Sequence, residues 1–150
     1  MTMKKITSHV LAAFVAWPLI LQPAAAADAT LYQRLGGYEA VAAVSDEFLV
    51  RLEADERLGR FFAGFSTDSK RRIRQHVVDL VCAATGGPCA YTGRDMKTAH
   101  AGSGITKADW DRAGEIFVGV LTTFKVGENE TSELLAIIGP MENDIVDTGE

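Results

Sequence analysis

Basic side chains are in short supply. Lys and Arg number 15 against 20 Asp and Glu, a formal charge of −5, and no basic stripe runs along the chain. Nucleic-acid binding depends on neutralising phosphates with clustered Lys and Arg, so this balance argues against that class of partner. Long apolar runs are scarce as well: Val10 to Leu21 falls short of the ~20 residues that cross a bilayer comfortably. There are two cysteines, Cys82 and Cys89, with six residues between them. That gap is wider than zinc ligands usually show, which argues against a zinc site made from them and the histidines. No internal repeat and no alternating run of strand length occurs, and helices are left as the building material.

The N-terminus has the layout of a secretory signal. Lys4 and Lys5 precede the apolar run, and Pro23 and the small residues Ala24 to Ala27 come after it. Cleavage is expected near Ala27, dividing the chain into a 1–27 signal peptide and a 28–150 domain. A retained membrane anchor is the alternative. Removing 27 residues from 150 leaves 123, the size of one small domain. Loss of Lys4 and Lys5 takes the formal charge from −5 to −7. The expected protein is exported, periplasmic, and free of the membrane once cut. Disulfides persist in such a compartment. A Cys82–Cys89 bridge is therefore expected, closing a short loop over Gly86-Gly87-Pro88; two free thiols are the alternative, because spacing does not fix geometry.

Helical periodicity runs through the remainder. Leu31 to Leu35 suits one turn of helix before Gly36-Gly37, where two glycines allow a sharp reversal. Val41, Val44, Phe48, Leu49 and Leu52 then recur at i, i+3, i+7, i+8 and i+11, an apolar stripe on a helix. Leu58, Phe61 and Phe62 mark a short aromatic turn, and Thr67 or Asp68 is placed to cap the next helix. That helix shows Ile73, Val77, Leu80, Val81 and Ala84 on one face, with Cys82 about 200° from Leu80 and so pointing elsewhere. Gly86-Gly87-Pro88 ends it. Thr106 and Asp109 have capping-box spacing and open a helix expected to bury Trp110, Ala113, Phe117, Val120, Leu121 and Phe124. The last helix carries Leu134, Ile138, Met141 and Ile145, with Pro140 expected to kink it. The class is all-α.

Two histidines survive the expected cleavage. His76 lies on the apolar face of its helix, three residues after Ile73 and four before Leu80. A lone polar ring there is either a core or rim histidine with a hydrogen-bond partner, or one aimed at a ligand. The other, His100, ends the segment Tyr91-Thr92-Gly93-Arg94-Asp95-Met96-Lys97-Thr98-Ala99-His100.

Several short motifs fall in one order: Leu31-Tyr32-Gln33-Arg34-Leu35-Gly36-Gly37, Phe61-Phe62, Gly86-Gly87-Pro88, Tyr91-Thr92-Gly93, Met96-Lys97, His100 and Gly104-Ile105-Thr106. The ordered set resembles the group I truncated haemoglobins, over about Leu31 to Asp147. The resemblance implies a truncated globin, a two-over-two α-helical sandwich around haem b. It makes His100 the proximal iron ligand, whose other ring nitrogen needs an acceptor that the sequence does not reveal. Phe62 matches an aromatic that packs on the haem face. Tyr91, Met96, Ile105 and Trp110 match pocket-lining positions. Lys97 matches a position at the haem rim, facing either a propionate or solvent. Within the basic cluster of Lys70, Arg71, Arg72 and Arg74, Arg74 is the candidate for a propionate, the rest a solvated face.

Departures from the family pattern bear on function. Leu49 stands where many members carry a distal tyrosine, and Ile73 and Val77 stand where distal glutamines are usual. The distal pocket is thus expected to be apolar, with His76 its main polar group: a sixth iron ligand, a hydrogen-bond donor or a propionate partner. The chain has no Cys-x-x-Cys-His, and no histidine lies beyond His100, so non-covalent haem is expected. The implied function is binding of oxygen or another diatomic gas, nitric oxide or carbon monoxide, with an unidentified reductant and an oxygen-transport role. Nitric oxide dioxygenation or a peroxidase-like reaction at the same iron is one alternative. A bis-histidine electron-transfer protein using His76 and His100 is another.

Overall fold

The computed structural model describes residues 29–148. The signal-peptide expectation for residues 1–27 lies outside them. All regular structure among the described residues is helical. Thr30 and Gln33 form a capping box for α1, Leu31–Arg34. The chain then reverses at Gly36, whose φ of +100° is open to glycine and strained for other residues. Helix α2 is Gly37–Ala54, and a 3-10 turn spans Gly59–Phe62. Helix α3 is Thr67–Ala84, α4 is Met96–His100 and α5 is Lys107–Thr123. Helix α6 covers Glu128–Ile138, and after a 3-10 turn at Gly139–Met141 comes α7, Glu142–Ile145.

These pieces make the two-over-two sandwich. Val41 and Ala42 of α2 pack on Val78 and Cys82 of α3, four residues buried to 5% exposure or less. Leu31, Phe117, Leu121 and Leu134 join α1, α5 and α6 in a second cluster. Helix α2 also meets α5, and α7 packs against α4. The second contact backs the short helix that carries His100. Helix α3 accordingly buries one face through Val78 and Cys82 against α2 and leaves the Ile73–His76–Leu80 face for another use.

Three local expectations need correction. The cap of α3 is Ser66, one residue ahead of the pair expected, because its hydroxyl accepts the Ser69 N–H at 3.1 Å. Phe124 is 41% exposed rather than buried: α5 ends at Thr123, and the capping residue leaves the stripe. At Pro140 the last helix is broken into α6, a tighter turn and α7 rather than merely bent. The capping box at Thr106 and Asp109 is formed.

Cys82 and Cys89 are joined in a disulfide, with Cα atoms 5.7 Å apart. Helix α3 prepares the bridge by ending in a Schellman motif: Gly86 N–H donates to the Ala83 carbonyl and Gly87 N–H to that of Cys82. Gly87 is required by contact. A Cβ there would lie 2.6 Å from the Tyr32 ring and 2.7 Å from Cys82 Sγ. A loop this short contributes about 2–3 kcal/mol when closed without strain. Alkylation of native protein without reductant is expected to add no mass by intact-mass measurement. Two alkyl groups on the native fold would refute the bridge in the protein as isolated.

Candidate functional site

The free face of α3, the inner faces of α2 and α5, the aromatic turn and α4 enclose a cavity of about 810 Å³. That lies within the range of small-molecule and cofactor sites, about 300–1,000 Å³. Leu49, Phe62, Ile73, His76, Val77, Tyr91, Met96, His100, Ile105 and Trp110 all line it. Lys97 lies outside the lining and is exposed on α4. Leu49, Ile73 and Val77 make their part of the wall apolar. Phe48 and Phe117, which the motif reading passed over, add an edge-to-face aromatic pair with centroids 5.1 Å apart.

Helix α4 determines what His100 can do. Asp95 caps it by accepting the Thr98 N–H at 2.8 Å, and the amides around it hold the Asp95 carboxyl below the usual range. One turn later His100 Nδ1 lies 2.9 Å from the Met96 carbonyl oxygen. A carbonyl only accepts, so Nδ1 carries a proton, and in the neutral ring Nε2 is the nitrogen with the lone pair. This is the acceptor that the sequence does not reveal. It comes from the backbone of Met96, a residue singled out by the motif for its side chain.

Most other polar groups in the lining are committed within the protein. Ser45 donates to the Val41 carbonyl at 2.8 Å, Thr85 to that of Val81 at 2.7 Å and Ser103 to that of His100 at 2.6 Å. The Tyr91 hydroxyl donates to the Arg94 carbonyl at 2.5 Å, and burial pushes its phenol above the usual range. His76 differs: its Nδ1 is buried with no hydrogen-bond partner.

The arginines sort in an informative way. Seven of those described pair with carboxylates: Arg34, Arg51, Arg57, Arg60, Arg71, Arg74 and Arg112. Arg72 and Arg94 have no carboxylate partner among the described residues, and both line the cavity. Arg74, the arginine expected to meet a propionate, forms a two-pronged bond with Asp46 of α2 at 2.6 and 2.9 Å. Two positions along a helix are about 200° apart, so Arg74 faces α2 when Arg72 faces the cavity. The signal was present: Arg72 lies four residues before His76 and shares its face.

Asp109 was read as a cap and proves to be a node. Its side chain is fully buried and takes bonds from Arg57 Nε at 2.6 Å and an Arg60 guanidinium nitrogen at 2.9 Å. The Thr106 hydroxyl and amide donate to it at 2.6 and 2.9 Å. Those Thr106 bonds, then the two arginines, hold its carboxyl far below the ordinary range against the opposing effect of burial. The node ties the turn bearing Phe61 and Phe62 to the start of α5.

The residues present suit a flat, dianionic iron cofactor. They supply a tautomer-defined imidazole, aromatic walls, and two guanidinium groups at the cavity without anions of their own. Comparison with known proteins agrees. The family model described as Bacterial-like globin matches residues 30–147. A group 1 truncated haemoglobin of Mycolicibacterium paratuberculosis is 38% identical over 122 residues, 81% of this chain and 87% of that protein. One from Synechocystis is 32% identical over 73% of this chain and 90% of its own length. Among solved structures, the 2/2 haemoglobin of Synechococcus, in the cyanomet state with covalently attached haem, superposes with a TM-score of 0.72. It is 31% identical, over 79% of this chain and 98% of that one. The ferric truncated haemoglobin of Tetrahymena pyriformis gives a TM-score of 0.72 at 28% identity, over 80% and 100%. From the cavity, the fold and these matches, the chain belongs to the bacterial-like globin family, where its relatives are group 1 truncated haemoglobins.

Proposed function

We propose that this protein holds haem b non-covalently in the cavity and binds a diatomic gas there, oxygen first among the candidates. The observation that carries the reading is His100: its ring lines the cavity and its Nδ1 is bonded to the Met96 carbonyl, so the neutral ring keeps on Nε2 the lone pair that an iron ligand needs. Haem supplies the iron whose open coordination position takes the gas. The chain supplies the rest. Leu49, Ile73, Val77 and Phe48 keep water out and suit a neutral ligand. Arg72 and Arg94 are placed by charge to meet the cofactor's two carboxylates. Non-covalent retention is supported by the absence of a Cys-x-x-Cys-His and of any histidine beyond His100.

The partner of His100 also bears on the enzymatic alternative. A neutral carbonyl raises the basicity of a ligating imidazole less than a carboxylate does. That favours reversible gas binding over peroxidase-like chemistry. Export completes the proposal, with residues 1–27 as the signal. The Cys82–Cys89 bridge supports it, since disulfides persist in oxidising compartments and are rare in the cytosol.

Absorption spectra test the whole reading. Purified protein is expected to take up haem in equal proportion and, once reduced, to shift its spectrum on addition of carbon monoxide. A protein that takes up no haem, or a reduced spectrum indifferent to carbon monoxide, would reject gas binding.

A further inference from the structure

We infer that the Cys82–Cys89 disulfide is a clasp on the cofactor site. It holds the turn bearing Tyr91 and Arg94 at the cavity, so opening the bridge with thiols hastens the loss of haem while the helices stay folded. The inference rests on the haem-binding reading above.

The two cations left for the cofactor are held in unlike ways. Arg72 stands on α3, where helix hydrogen bonds fix its backbone. Arg94 stands between α3 and α4, in a segment without regular structure. Residues 88–94 make one hydrogen bond among themselves and none to the rest of the described protein: the Tyr91 hydroxyl donates to the Arg94 carbonyl at 2.5 Å. Gly93 lies against the Tyr91 ring, where a Cβ would overlap it, so 91–94 forms one compact turn. Tyr91 and Arg94 both line the cavity.

That turn is anchored at two points. On its far side Asp95 caps α4. On its near side Cys89, two residues before Tyr91, is bonded to Cys82 and packs beside Val41, Ala42 and Val78. With the bridge open, no bond holds this side of the turn to α3. The backbone freedom that returns then draws Tyr91 and Arg94 away from the cavity. A brace for α3 itself is the weaker account. The bonds of Gly86 and Gly87 already close that helix, and Cys82 follows Val78 by four residues on a face packed against α2. What the bridge adds is a tether to the segment that carries a cavity cation.

Opening proceeds by thiol–disulfide exchange. Cys82 is fully buried and Cys89 half-buried, so the first thiolate of a dithiol attacks the Cys89 sulfur. The Cys82–Cys89 bond breaks and a mixed disulfide forms on Cys89, which the second thiolate then displaces. The dithiol leaves as its own disulfide, and Cys82 and Cys89 each take up a proton. A disulfide donor runs the exchange backwards and closes the clasp.

Release of ferric haem to excess apomyoglobin, followed by absorbance, measures the grip. Oxidised wild type is compared with two opened forms: Cys89→Ala, and wild type treated with dithiothreitol that is removed under argon before haem is added. Opening by either route should speed release about 10-fold, the lower end of what a hydrogen bond to a charged group contributes. Helical circular dichroism should not change. In an Arg94→Ala background the same opening should add less than about 2-fold, because independent effects multiply and effects on one shared contact do not. Unchanged release on opening, or effects that multiply in full, overturns the inference. So does loss of helical structure in both opened forms, which would make the bridge a brace of the fold. Failure of oxidised wild type to take up haem rejects the haem-binding reading itself, whereas haem held equally well in both redox states removes the clasp alone.

Discussion

His100→Ala abolishes stable haem binding, or leaves a weak complex that added imidazole rescues. His100 is the cavity histidine whose Nε2 is free by construction, since Nδ1 is committed to the Met96 carbonyl at 2.9 Å. His76 cannot substitute, because its Nδ1 has no acceptor to hold the displaced proton. Loss of a hydrogen-bonding partner behind a metal ligand typically costs 10–100-fold in affinity. Loss of the ligand itself should cost more than about 100-fold. Imidazole in solution can enter the space left by the ring and restore the spectrum without restoring the covalent link to α4. Haem titration of wild type and variant, with and without imidazole, measures the effect. An unchanged haem affinity and spectrum would remove His100 from the iron.

Asp109→Asn should destabilise the fold by about 3 kcal/mol. The carboxylate is fully buried and accepts from Thr106, Arg57 and Arg60. An amide offers one acceptor oxygen in place of two and turns an NH₂ toward the arginines. The loss stays toward the lower end for a broken buried ion pair because Arg57 and Arg60 are about half exposed and can turn to water. The pH dependence has a definite sign. The folded carboxyl binds protons less readily than its unfolded counterpart, so its contribution is full above the ordinary carboxylate range, near pH ~4. It is lost as pH falls below that range toward the depressed folded value. Denaturant unfolding of wild type and variant from pH 7 down to pH 2 should show a gap that narrows with acidity. A gap constant across that range would mean that Asp109 acts through shape and not charge. Haem affinity should fall as well, since the node positions Phe61 and Phe62.

How much of this was legible beforehand differs from residue to residue. The helices were, because apolar spacing reports which face is buried, and the glycine pairs mark reversals that few other residues permit. Their ends were less so. Ser66 rather than Thr67 caps α3, and Phe124 falls off its stripe, because capping turns on the local dihedrals of single residues. Ten of the eleven proposed site residues line one cavity, while Lys97 stays outside.

By itself, the amino-acid sequence determined the class of fold, the family resemblance, the apolar distal wall and the candidacy of His76 and His100. The class rests on short-range periodicity and the rest on what an ordered set of motifs implies, and a linear chain carries both in full. Tertiary structure alone decided which arginine faces the cavity, since Arg72 and Arg74 differ only by a rotation that α2 and Asp46 select. It also turned Asp109 from a cap into a four-donor node, because Arg57 and Arg60 come from a turn some fifty positions earlier. Above all, it separated the two histidines. They differ in the groups within hydrogen-bond reach of Nδ1: a carbonyl oxygen 2.9 Å away for His100, and nothing for His76. Residue type is the same for both, and only the packing around each ring distinguishes them.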